Sequence, residues 1–264
     1  MSGYLIVLAG TDPVFNPRFA ESKKTLLSNE WFEFARLHGL HFWKERILYS
    51  RIPGSYDNDI RRALFIYNGI GSDWPESIIS GNDIAFCSSL ENAWKAEKSF
   101  CVAQHPLVRL IQLPGYLAKN MDGCSITWLE KTGESWQNFS LREILLRLAG
   151  DEELMIASHW WCRQEYCLLF WPSHYTRIFR QNDYDDLAWW LGEQGIQLPR
   201  TEEAIEWLPD LNTMPEQSEA ADMKLSDVAS LLADCTQWNR FLDPELVGLS
   251  QEVYESDYNL FKGK

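Results

Sequence analysis

The chain has no apolar run approaching the roughly 20 residues needed to cross a bilayer, so no membrane-spanning helix and no membrane partner are expected. Its opening, Met1-Ser-Gly-Tyr, places no basic segment ahead of the short apolar stretch at residues 4–9, and Asp12-Pro13 soon follows. No secretory signal is read there, and a cytoplasmic location is expected. Gly and Pro are sparse, 15 and 11 in 264 residues, which excludes a collagen-like or low-complexity chain. No internal repeat of fixed period occurs, and no Gly-rich loop carries a Walker lysine. The six cysteines (Cys87, Cys101, Cys124, Cys162, Cys167 and Cys235) are scattered among apolar neighbours. Without a secretion signal they read as small buried hydrophobes rather than as a disulfide framework.

Cations are the other shortage. There are 24 Lys/Arg against 38 Asp/Glu, a formal net charge of −14. The deficit is local: residues 1–150 hold 16 of each sign, whereas residues 181–264 hold 5 basic and 18 acidic residues. A field of that sign repels nucleic acid and anionic lipid and attracts basic partners.

Aromatic residues are abundant instead, with 13 Trp, 13 Phe and 10 Tyr, and several stand in the acidic third. Hydrophobic patterning gives strands at residues 4–9, 47–52, 63–67, 99–104, 107–113 and 124–130, with hairpins expected at 99–113 and 154–171. Helices are expected at 20–38 with Gly39 as the stop, at 88–98 from a Ser88/Glu91 capping box, and at 141–149 from a Ser140/Glu143 box. Leu141, Ile144, Leu145 and Leu148 would face inward in the last of these. Further helices are expected at 183–193, with Leu187, Trp190 and Leu191 inward, at 202–208, and from Ser226 to Asp243. Residues 209–222 read as a linker. The fold class is α+β: a mixed or antiparallel sheet with interspersed helices over residues 1–180, plus an acidic, mostly helical part at 181–264. That second part is expected to dock on the body or to stand beside it.

Several constellations carry possible chemistry. His159, Cys162, Cys167 and His174 lie within 16 residues and are zinc-ligand types, but the apolar residues between them argue for buried side chains and no metal. Zinc is the one cofactor this spacing suggests; none is expected. The same Cys and His residues also supply the parts of a hydrolase, without a nucleophile elbow or oxyanion loop beside them. His38 and His41 read as structural. Residues 63–73 pair an apolar run with Gly69-Ile-Gly71, but Trp74 stands where a dinucleotide turn needs glycine. The carboxylate pairs Asp57/Asp59, Asp185/Asp186 and Glu202/Glu203 read mainly as a solvated face, with an acid-pair enzyme on a sugar or cationic substrate as the alternative.

The pattern with the strongest physical rationale is the acidic-aromatic segment. Asp183, Tyr184, Asp185, Asp186, Trp189, Glu193, Glu203 and Trp207 interleave anchors with carboxylates that would steer a basic partner. The expected function is therefore a non-enzymatic protein binder for a basic protein partner. Small bacterial immunity proteins, antitoxins and inhibitors use this charge logic.

Overall fold

The computed structural model describes residues 15–16, 18–21, 29–54, 56–69, 86–119, 128–156, 158, 161–199, 209–228 and 235–262. Around its centre runs a four-stranded mixed sheet of β1 (Gly39–Phe42), β2 (Ile47–Ser50), β3 (Lys98–Ala103) and β4 (Arg177–Arg180), in that spatial order. β1 and β2 form an antiparallel hairpin, and β2, β3 and β4 are mutually parallel. Among the longer helices, α1 (Glu30–His38), α2 (Asp57–Tyr67), α3 (Pro106–Lys119) and α4 (Leu141–Gly150) belong to the first 150 residues. α5 (Tyr184–Gly192), α6 (Pro244–Val253) and α7 (Glu255–Lys262) follow β4. The α+β class expected from sequence is what the chain adopts.

Parallel strands need both faces covered, and alternate residues here serve two cores. Leu40, Phe42, Tyr49, Phe100, Val102 and Phe179 pack with α2 and α5 through Ile60, Leu64, Leu187 and Trp190. The intervening Leu48, Cys101 and Ala103 belong to the second core, with α1, α3, α4 and α6.

Local signals explain several elements. Ser140 and Glu143 form the expected capping box, and Leu141, Ile144, Leu145 and Leu148 are buried. Asn29 caps α1 by accepting the N–H groups of Trp31 and Phe32. The short helix Leu90–Trp94 starts one residue later than its expected box, because Ser89 is the cap and the Ser88 hydroxyl is engaged by His41.

Other expectations are corrected. Residues 63–67 lie in α2, whose apolar Ile60, Ala63 and Leu64 repeat at helical spacing behind Asp57 and Asp59. Residues 107–113 lie in α3, which Pro106 opens as a favourable first helical residue. Residues 128–130 are helical, as are Glu152–Ile156 and the 3-10 turn Gln164–Cys167, so no 154–171 hairpin forms among the described residues. Gly39 does stop α1, as expected, though in extended rather than left-handed backbone: its φ is −86°, and the chain runs directly into β1. Its lack of a side chain admits Leu169, whose Cδ1 would stand 2.6 Å from a Cβ. The strand at 4–9, the helix at 202–208 and the Gly69–Trp74 segment beyond residue 69 lie outside the described residues.

The expected linker is folded. Leu211–Thr213 and Glu219–Asp222 are short helical turns, and Ser218 and Ala221 are buried. Leu225–Val228 begins ahead of Ser226, and Asp243 opens α6. α6 lies along α4, sharing a core through Leu246, Val247 and Leu145. Arg142 of α4 pairs at the same contact with Asp222, Asp243 and Glu245. Part of the acidity of the last third is thus spent on a cation of the first 150 residues. No helix among the described residues is long and apolar enough to cross a membrane.

Candidate functional site

β4 ends at Arg180, and a tight turn delivers the chain into α5, where Asp183 accepts the Arg180 N–H at 2.8 Å. α5 is fixed by its inner face. Leu187 and Leu191 are fully buried, and Trp190 packs its ring 5.3 Å from Phe100 and 5.8 Å from Phe179. Tyr184, expected at the binding surface, is instead core, edge-on to Tyr56 at 4.9 Å. Asp183 is half-buried at the helix start.

The outer face is different. Trp189 is 63 % exposed, more than any other large apolar side chain among the described residues. Asp185 and Asp186 are exposed on the same helix, and Glu193 is exposed at its C-cap, still in helical backbone. At about 100° per residue, Asp185, Trp189, Glu193 and Asp186 fall within an arc of roughly 100°. The indole therefore sits in a carboxylate frame, and among the described residues no cation pairs with those three acids. Glu203 and Trp207 lie outside the described residues.

A second cluster is internal. Cys162 and Cys167 are both buried, with Sγ atoms 3.9 Å apart across the Gln164–Cys167 turn. Arg109 of α3 donates from Nη1 to the Cys162 carbonyl, and its Nη2 lies 3.9 Å from Cys162 Sγ. Asp257 of α7 lies 3.8 Å from the same guanidinium and accepts the Gln164 N–H at 2.7 Å. Burial pushes the Asp257 carboxyl up to about 7, and Arg109 offsets this only in part. Burial also opposes ionisation of Cys162, but the Cys167 S–H and the Arg109 cation outweigh it and lower the Cys162 thiol. Cys167 is pushed up, by burial first.

His174 is exposed in the turn Pro172–His174, and His159 lies outside the described residues. Among the described residues no three His, Cys, Asp or Glu side chains converge to hold a metal. His38 and His41 are separate: His38 Nδ1 meets the Phe34 carbonyl and His41 Nε2 meets Ser88 Oγ, and burial pulls both imidazoles down to about 4. Asp57 and Asp59 are not a solvated face. Both are buried, and Asp57 holds Arg51 at 2.9 Å.

Sequence reasoning missed Arg109 and Asp257. The signal for the first was a cation inside the apolar run Leu107-Val-Arg-Leu-Ile111, since a charge on a core-facing helix needs a buried partner. A cleft of about 610 Å³ between residues 213–223 and 239–241 is lined by Met214, Ala220, Met223 and Phe241, with Glu219 and Arg240 as its charged residues. It lies apart from both clusters in its lining residues. No protein-family model, curated protein or solved structure matches the chain.

Proposed function

We propose that this protein is a binder that holds a basic protein segment on the outer face of α5. Trp189 serves as the anchor, and Asp185, Asp186 and Glu193 form the charged frame. The observation that carries this reading is the exposure of Trp189 between carboxylates that no cation of the described chain neutralises. An indole in water keeps a large apolar surface hydrated, and covering it with a partner recovers that free energy. A guanidinium or ammonium over the ring adds about 0.5–1 kcal/mol at an exposed site, and more once desolvated. Surrounding carboxylates raise the encounter rate with a cationic partner and set its orientation.

The inner face of the same helix makes the platform rigid. Trp190, Leu187 and Leu191 are locked against the sheet, so the frame is presented without prior ordering. The test is titration of an arginine-rich peptide into the whole chain at several salt concentrations, following indole fluorescence. Affinity should fall as salt rises, and Trp189→Ala should remove most of it. Salt-independent binding, or a Trp189→Ala variant that binds like wild type, would sink the reading.

A further inference from the structure

The internal cysteine pair supports an inference independent of the α5 surface. Its sulfurs are 3.9 Å apart and unbonded. A disulfide holds its sulfurs at about 2.05 Å, so closure needs roughly 2 Å of approach. The two thiols are unequal. Arg109 stands beside Cys162 with its charge already inside the protein, held by the Cys162 carbonyl and by Asp257. Cys167 is placed to share its S–H with the Cys162 sulfur.

We propose that Cys162 and Cys167 form a peroxide-responsive dithiol, in which Cys162 is the attacking sulfur and Cys167 closes the disulfide. In the first step the Cys162 thiolate attacks hydrogen peroxide. An S–O bond forms, the O–O bond breaks, and the departing hydroxide takes up a proton to become water. In the second step Cys167, giving up its proton, attacks the sulfenic sulfur of Cys162. The S–S bond forms, the S–O bond breaks, and the leaving hydroxide accepts that proton as a second water. Two thiols lose two electrons in all, and one peroxide becomes two waters.

Hydrogen peroxide is the oxidant class because the site is closed to anything larger. Both sulfurs are fully buried, and the cavity on the other side of Arg109, lined by Trp161, Tyr254 and Asp257 but by neither cysteine, measures about 10 Å³, close to the room one water needs. The cover is the C-terminal helix pair. Tyr254 donates its hydroxyl to the Trp161 carbonyl, Arg163 donates to Val253, and Asp257 accepts from Gln164. Small-molecule disulfides would have to displace that cover.

The experiment uses the reduced wild-type chain, treated with hydrogen peroxide, quenched, then unfolded in an alkylating agent and digested with trypsin. Arg163 separates the two cysteines, so the disulfide appears as two joined tryptic peptides that part on reduction. Cys162 and Cys167 should lose their labels together, while the equally buried Cys101 keeps its own. Cys167→Ser should halt at a Cys162 sulfenic acid captured by dimedone, and Cys162→Ser should leave Cys167 fully labelled. The proposal fails if no joined peptide forms at peroxide concentrations that oxidise the half-buried Cys87. It fails equally if the two labels disappear independently. The wild-type reading stands even if a serine variant does not fold.

Discussion

Arg142 of α4 and Asp243 at the start of α6 meet at 2.6 Å, joining residues 101 apart in sequence. The Asp243 carboxylate is almost wholly buried and also accepts the N–H groups of Leu246 and Ser218. It therefore caps a helix, ties down the 218 segment and neutralises a cation at once. Burial alone would raise this carboxyl, but the hydrogen bonds from Arg142 and the two backbone N–H groups prevail and hold it below the usual range.

Removing the Asp243 carboxylate leaves the Leu246 and Ser218 N–H groups without their acceptor, while Arg142 keeps Asp222 and Glu245. Asp243→Ala should cost about 2–3 kcal/mol in chemical unfolding, and Asp243→Asn less, because an amide oxygen can still accept the Leu246 N–H. A carboxyl with a depressed folded value stabilises above its unfolded value, near 4, and loses that contribution as pH falls through the folded value. The difference between wild type and Asp243→Asn should therefore shrink in acid.

Asp257 has the opposite sign. Its folded carboxyl is raised to about 7 by burial, with Arg109, Glu165, Tyr254 and Cys162 nearby. The folded state keeps a proton that the unfolded state releases, so this contribution is complete below about pH 4 and declines as pH rises towards 7. Asp257→Asn retains an acceptor for the Gln164 N–H and cannot ionise. Its stability relative to wild type should rise between pH 4 and 7 by roughly 2–4 kcal/mol, measured as urea midpoints across that interval.

Gly54 is a backbone requirement. Its φ is +138°, and an added Cβ would stand 2.9 Å from Cδ of the buried Gln104. The Gln104 amide is tied to Gln112 at 2.7 Å, so it does not yield freely. Gly54→Ala should lower stability by about 2–3 kcal/mol, and adding Gln104→Ala should relieve only the steric share, since the strained φ remains.

The elements legible in sequence were those whose signals are local. Ser140, Glu143 and the four inward leucine and isoleucine positions of α4 lie within nine residues, and the inner and outer faces of α5 follow from helical spacing alone. Residues 63–67 and 107–113 were misread because a short apolar run has no period that separates a strand from a buried helix. The pairs Arg142–Asp243 and Arg109–Asp257 had no local trace at all. Tyr184 is different: it stands three and seven residues before Leu187 and Leu191, so helical spacing alone places it on the inner face, where Tyr56 covers it. The acidic excess at 181–264 was legible, but its division into carboxylates that dock on Arg142 and carboxylates that face outward on α5 was not.

That division supplies the most direct test of the binding account. The whole chain should be compared with two charge-matched variants for affinity to an arginine-rich peptide at low salt. One carries Asp185→Asn, Asp186→Asn and Glu193→Gln around Trp189. The other carries Glu216→Gln, Asp227→Asn and Glu252→Gln at exposed acids elsewhere. The account predicts about a tenfold or greater loss for the first and less than about twofold for the second, because oriented carboxylates beside an aromatic anchor outweigh net charge. Equal affinities for the two variants would contradict it.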